Sequence, residues 1–263
     1  MNEGYVFIAY GEKYIKQSIE IVKSIKKFDA QRKFILISNV KLDLFDETID
    51  ISDEFKNESN NHNKYCILAR ILTPKYIKLD KFLMIDTDML CINNINNIWD
   101  EFNKSTNCCC CIGGRDGKKW HWGEIENVNK YLKMDLKPMH GGLLFFNKKH
   151  KNFNEYYNFL MEAYFNYDKF KFKRQFRGNA MTDEILFSYA NAKLNYIPYD
   201  FVKYPFVSFN LNDNIDIKKK IVSWGTKDTT FLTDKPTILI HFTGLNDGPE
   251  IDILYKKWIN KIK

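Results

Sequence analysis

Tyr5-Val-Phe-Ile-Ala-Tyr10, stopped by Gly11, is a short apolar run rich in β-forming residues and reads as a buried strand. Behind it Ile15, Ile19, Val22, Ile25 and Phe28 recur every three or four residues, the buried stripe of an amphipathic helix over residues 12–27. Phe34-Ile-Leu-Ile37 is a second buried strand. Strand, helix and strand in that order form the unit of a parallel, doubly wound sheet, so an α/β protein is expected.

The rest of the chain extends the pattern. Residues 53–64 are polar and Asn-rich and read as a mobile loop; residues 65–76 return to helical spacing through Ile67, Leu68, Ile71 and Leu72, with Pro74 near the end. Lys81-Phe-Leu-Met-Ile85 is a third buried strand, and Asp86-Thr87-Asp88 stands where it stops. Residues 108–112 form a further strand ending at Gly113-Gly114, followed by the aromatic loop Trp120-His121-Trp122. Gly141-Gly142 open another strand that runs to Asn147. Residues 153–165 are an aromatic-rich helix, and Thr182-Asp183-Glu184 open one that runs to about Asn191. Thr237-Ile-Leu-Ile240 is a last strand, leading into His241-Phe242-Thr243-Gly244.

At 263 residues, 44% hydrophobic and 16% aromatic, the chain has material for one domain with a real core and a small C-terminal elaboration. The net charge of +7 comes mostly from scattered Lys, and the densest cluster, Lys218-Lys219-Lys220, has only three members. That describes a solvated surface better than a nucleic-acid or acidic-membrane site, although a ligand with two phosphates would gain from the field. Six Cys are Cys66, Cys91 and the run Cys108-Cys109-Cys110-Cys111. Strand neighbours point to opposite faces, so four adjacent thiols cannot close around one zinc, and reduced, packed thiols are expected. Met1-Asn2-Glu3-Gly4-Tyr5 carries no basic segment followed by an apolar one, and no window approaches about 18 apolar residues. A cytoplasmic location without an integral membrane segment is expected, the alternative being a chain cut from its anchor.

In open α/β sheets, ligands gather beyond the carboxyl ends of the strands. Tyr10-Gly11, Asp86-Thr87-Asp88 and His241 all fall at such ends, where buried polar groups cost stability unless something binds them. Asp86 and Asp88 can each reach one ion if the chain turns after the strand. Carboxylate oxygens suit Mg²⁺ or Mn²⁺, and an added imidazole nitrogen tilts the choice to Mn²⁺. An ion held there would neutralise charge on a departing nucleoside diphosphate. Alone, an Asp-x-Asp recurs by chance and is a weak signal.

Its context is more specific. The stretch Ala69-Arg70-Ile-Leu-Thr-Pro-Lys-Tyr-Ile-Lys-Leu-Asp-Lys-Phe-Leu-Met-Ile-Asp-Thr-Asp-Met-Leu90, with Ile95 and Trp99 behind it, resembles the core of glycosyltransferase family 8, the glycogenin-like enzymes. His241-Phe242-Thr243-Gly244 resembles the family's His-Phe-x-Gly. The resemblance implies a GT-A fold, the nucleotide-diphospho-sugar transferase architecture: a Rossmann-like, mixed, mostly parallel central sheet flanked by helices. It implies one domain over residues 1–263, with a donor-binding half to about 112 and an acceptor-side half from 113. The implied reaction moves a hexose such as glucose or galactose from a UDP-sugar to a hydroxyl of a carbohydrate or protein acceptor, with retention. Asp86, Asp88 and His241 would hold Mn²⁺, with Mg²⁺ as the alternative.

The same resemblance assigns further positions. Ala9, Tyr10 and Thr87 would line the donor site, Tyr14 would stack on uracil, and Arg70 would reach the donor. Gly141-Gly142 would allow close approach to the donor sugar, with His140 at or beside a position where the family has Asn. Gly244 closes the His-Phe-x-Gly turn. Asp183 would lie below the anomeric carbon with Glu184 beside it, the plain alternative being two first-turn acids that complement a helix dipole. Trp120 and Trp122 would stack on an acceptor sugar, with core packing or a homodimer contact as the alternatives.

One element departs from the family. After Gly244 the chain reads Leu245-Asn-Asp247-Gly248-Pro249, without the Lys that would meet the diphosphate. Phosphate charge then falls to the metal, Arg70 or another basic residue such as Lys256. Three rivals remain at this point. One is a GDP-sugar or inverting GT-A transferase, and another a catalytically weak protein that binds the nucleotide sugar. A nucleotidyltransferase is the third, although Ala9-Tyr10-Gly11-Glu12 lacks the Gly-rich basic loop it would need.

Overall fold

A computed structural model describes residues 2–58, 62–113, 119–120, 123–170, 182–223, 230–245 and 249–263. The chain begins with β1 (Glu3–Ile8), α1 (Glu12–Lys26), β2 (Lys33–Ile37) and β3 (Glu47–Ile49), and Gly11 makes the first turn at φ 99°. A 3₁₀ turn, Ser52–Glu58, precedes α2 (His62–Tyr76), β4 (Lys81–Ile85), β5 (Met89–Cys91) and α3 (Asn96–Phe102). Next come β6 (Cys109–Gly113), β7 (Lys119–Trp120), β8 (Gly123–Glu124), α4 (Ile125–Leu132), β9 (Leu143–Asn147) and α5 (Phe153–Phe165). The last part holds α6 (Asp183–Lys193), β10 (Tyr199–Asp200), β11 (Val207–Phe209), β12 (Ile221–Ser223), β13 (Thr230–Leu232), β14 (Leu239–His241) and α7 (Pro249–Ile262).

Seven strands form the main sheet in the order β10-β6-β9-β4-β1-β2-β3. Every neighbouring pair is parallel except those of β9, which runs antiparallel to both β4 and β6. The period-two alternation of a strand divides the core between the two faces. Val6, Ile35 and Met84 pack with α2, α5 and α6, while Tyr5, Phe7, Leu36 and Leu83 pack with α1 and α3. The cysteine run obeys the same rule: Cys109 and Cys111 belong to the first face and Cys110 to the second. Cys91 and Cys108 to Cys111 are free, buried thiols, and burial pushes those of Cys108 and Cys110 up to about 11 and about 12.

A smaller sheet, β11-β14-β5, carries the C-terminal elaboration, with Leu90, Ile240, Phe242 and Trp258 forming its own core under α7. Here β14 runs antiparallel to β5 and sets His241 opposite Met89. Among the described residues no helix is long and apolar enough to cross a membrane.

Two expectations change. The polar segment over 53–64 contains the 3₁₀ turn and the start of α2, because Phe55 is fully buried with its ring edge-on to Tyr10 at 5.4 Å. The first strand begins at Glu3, two residues early, because Arg32 meets the buried Glu3 carboxylate at 3.1 Å.

Candidate functional site

Asp86-Thr87-Asp88 forms the turn between β4 and β5. The Asp86 N–H donates to the Gly142 carbonyl at 2.9 Å, and the Asp88 carbonyl accepts from the Phe242 N–H at 2.9 Å. These backbone bonds tie the turn to the start of β9 and the end of β14. Thr87 faces the other way, is buried, and donates its hydroxyl to Oε1 of Gln17 on α1 at 3.3 Å. The two carboxylates therefore share one side with His241, whose Nε2 lies 3.1 Å from Oδ1 of Asp88 and 4.0 Å from Oδ2 of Asp86. One ligand atom from each of the three residues falls within a 4.8 Å spread.

Two carboxylate oxygens and one imidazole nitrogen suit a divalent ion of the Mn²⁺ or Mg²⁺ class. Gly142 shows how tightly the site is drawn. A Cβ there would stand 2.7 Å from Oδ2 of Asp86 and 2.5 Å from Cε of Met89, closer than any side chain tolerates.

A second ring of contacts holds these residues. Arg70 on α2 reaches Oδ1 of Asp86 with one nitrogen and the Gly141 carbonyl with another, while its Nε lies 2.7 Å from Oδ2 of Asp183. The two oxygens of Asp86 thus have separate tasks: Oδ1 faces Arg70 and Oδ2 faces His241. Burial would raise the Asp86 carboxyl, but Arg70 and the two histidines outweigh it and hold it below the usual range. Asp183 goes the other way, because burial and its neighbours Glu184 and Asp86 outweigh the pull of Arg70. Glu184 accepts the Gly141 N–H at 3.1 Å. Burial would lower the His241 ring, yet Asp88 and Asp86 push it above the ordinary histidine value. His140, desolvated and beside His241, is driven down to about 3.

Beside the carboxylates opens a cleft of about 230 Å³, whose walls include Ile8, Tyr10, Tyr14, Ala69, Arg70 and the Asp86–Asp88 turn. Tyr10 and Tyr14, expected around the donor, are both on it. Ala9 lies behind the wall, fully buried, with its N–H bonded to the Ile37 carbonyl at 3.0 Å. Gly244 makes the turn after Phe242 at φ 79°.

Two expected donor contacts take internal partners: Arg70 bridges Asp86 and Asp183, and His140, 3% exposed, places Nε2 2.9 Å from Nδ1 of His241. Neither pairing has a spacing signal, and only the position of His140 beside two glycines hinted at close packing. Lys256 lines a separate cavity of about 490 Å³ with Lys13 and Lys16, which adjoins the Asp-x-Asp turn through Gln17. Trp122 lies outside the described residues, as do Asp247 and Gly248; of Trp120 only the backbone is described, paired in β7 with β8.

Neither a protein-family model nor a curated protein sequence matches the chain. Solved structures do. The chain superposes on the apo form of the bifunctional glycosyltransferase WbbM with a TM-score of 0.63 at 16% identity, over 98% of this chain and 50% of that one. The chain thus spans half the length of WbbM. On the galactosyltransferase LgtC, in complex with donor and acceptor sugar analogues, the TM-score is 0.61 at 16% identity, over 96% of this chain and 95% of that one. On apo GlyE from Streptococcus pneumoniae TIGR4 it is 0.55 at 12% identity, over 100% of this chain and 62% of that one. At these identities the likeness establishes the fold, the mixed, mostly parallel α/β sheet of GT-A glycosyltransferases.

Proposed function

We propose that the protein is a metal-dependent glycosyltransferase of the glycogenin-like kind, which moves a hexose from a UDP-sugar to an acceptor hydroxyl with retention. The observation that carries this reading is the convergence of Asp86, Asp88 and His241 beside a cleft walled by Tyr10 and Tyr14. The fold shared with LgtC and WbbM supports it.

Asp86, Asp88 and His241 hold the ion, Mn²⁺ by preference for a set that includes imidazole, with Mg²⁺ as the alternative. When bound, it offsets the negative charge of the departing diphosphate. Tyr14 presents a flat face for the base, with the Lys13 ammonium 5.4 Å from its centroid. Arg70 orients Asp86 and carries the negative Asp183 beside Gly141. There Asp183 favours positive charge developing on the transferred sugar. Glu184 fixes the Gly141 backbone rather than the substrate.

Residues up to about 112 supply the base contact and the two carboxylate ligands, and residues 113–263 supply the imidazole ligand His241 together with Gly141, Asp183 and the acceptor side. With Arg70 engaged by two carboxylates, Lys13 and Lys256 are the candidates for phosphate charge. Free, buried thiols support action in a reducing compartment such as the cytoplasm.

The test is a hydrolysis screen of UDP- and GDP-sugars with Mn²⁺, with Asp88→Asn as control and intact mass to register self-glycosylation. Turnover of a UDP-sugar, lost in Asp88→Asn, is expected. Silence for every donor, or parent and variant behaving alike, sinks the reading.

A further inference from the structure

We infer that His140 is a positioning residue that fixes the ring tautomer of His241 and so prepares Nε2 as a metal ligand; this rests on the metal site proposed above. A neutral imidazole has one lone pair and one N–H. Nε2 of His241 faces Oδ1 of Asp88 at 3.1 Å and Oδ2 of Asp86 at 4.0 Å, so it is the nitrogen that must offer its lone pair to an ion. The ring proton then belongs on Nδ1, and Nδ1 has one ring nitrogen 2.9 Å away, Nε2 of His140. His140 accepts that N–H and carries its own proton on Nδ1.

The pair is mechanically fixed. The His140 backbone N–H donates to the Ile112 carbonyl at 2.9 Å, which anchors it to the end of β6. The Phe209 ring lies 5.0 Å from the His140 ring and 5.2 Å from that of His241, holding both from one side. A Cβ on Gly142 would come within 2.7 Å of Cε1 of His140, so the ring sits in space that only a glycine leaves open. His140 is 3% exposed and His241 8%, which keeps bulk water from replacing this partner.

The second nitrogen of a ligating histidine usually donates to a carboxylate, a carbonyl or water. Here a neutral imidazole takes that place, leaving Asp86 and Asp88 as the charged ligands of the site. Orientation is gained without a third negative charge beside the ion.

The test follows Mn²⁺ binding directly, by loss of the free-ion electron paramagnetic resonance signal, in the parent, Asp88→Asn, His140→Leu and His140→Gln, with thermal melts as a check on folding. Leu removes the acceptor, whereas the Gln amide oxygen restores one. The expected result is affinity roughly 10–100-fold weaker for His140→Leu, with most of that loss recovered in His140→Gln. If the Leu variant does not melt cooperatively, His140→Val, smaller and likewise without an acceptor, takes its place. Parent-like affinity in a folded Leu or Val variant overturns the inference. So does an equal loss in the Leu and Gln variants, which marks a packing role. A parent that takes up no Mn²⁺, or an Asp88→Asn variant that takes it up equally, overturns the metal site itself and this inference with it.

Discussion

Nε of Arg70 lies 2.7 Å from Oδ2 of Asp183, and the same guanidinium closes on Oδ1 of Asp86. One side chain of α2 therefore joins Asp86, at the end of β4, to Asp183 in the first turn of α6, 97 positions further along the chain. Burial opposes the Arg70 charge, but Asp86, Asp183 and Glu184 outweigh it, so the cation is locked in place. Removing one partner of a fully buried ion pair costs about 3–5 kcal/mol, because the other charge stays buried alone; these side chains are 16–25% exposed, so the lower end of that range applies. Arg70→Ala is expected to lose stability on that order in urea unfolding, with Arg70→Lys recovering only part, since an ammonium cannot span both carboxylates. A loss below about 1 kcal/mol, the worth of an exposed pair, would contradict the bridge.

Gly142→Ala tests how closely the site is drawn. The added methyl meets Oδ2 of Asp86, Cε of Met89 and Cε1 of His140 at 2.5–2.7 Å. Overpacking of this kind costs about 1–3 kcal/mol, and here it also displaces Oδ2 of Asp86, one of the proposed metal ligands. Mn²⁺ affinity in the alanine variant should fall further than stability does. Gly141→Ala, with nearest approaches of 3.0 and 3.1 Å to Asp183 and Glu184, should be milder in both respects.

On the proposed reading, Asp183 and Glu184 are neighbours with different tasks. The Glu184 carboxylate accepts the Gly141 N–H, a bond that an amide oxygen reproduces, so Glu184→Gln should keep most activity. Asp183→Asn removes negative charge beside Gly141 and should lower kcat on the order of 10²–10³-fold, as loss of one preorganised electrostatic contact does. Equal effects of the two substitutions on kcat would show that both acids act structurally.

A pH effect is expected far from the site. Asp29 accepts the Tyr5 hydroxyl at 2.6 Å and two backbone N–H groups, and pairs with Arg32, whose guanidinium lies over Trp99 at 4.4 Å. Burial would raise its carboxyl, but these partners outweigh burial and hold it below 3.8. The folded value is depressed, so the stabilisation is complete above the unfolded value and is lost as pH falls through the folded one. Urea midpoints of the parent and Asp29→Asn should differ most near neutral pH and converge below 3.8. A gap that widens in acid would reverse the sign.

The α/β class and the position of Asp86-Thr87-Asp88 were legible because both rest on local patterns: uninterrupted apolar runs in β1, β2 and β4, a helical stripe in α1, and polar residues where an apolar run stops. The split of the cysteine run between two faces follows from the alternation of side chains along any strand. The site's closure was less legible. Register between β5 and β14 sets His241 opposite Met89, and such distant pairing leaves no mark in either segment beyond its hydrophobicity. Phe55 is a single buried aromatic in a polar stretch, too isolated to create a period. The roles of Arg70 and His140 depend on three-dimensional neighbours from α6 and β14, and the family resemblance pointed both of them at the donor.

The most direct measurement is calorimetric binding of UDP with and without Mn²⁺, in the parent and in Asp88→Asn. Binding that requires Mn²⁺ in the parent and disappears in the variant is the expected result. Equal UDP binding with and without the ion, or no binding under either condition, would contradict a metal-dependent nucleotide-sugar site at Asp86, Asp88 and His241.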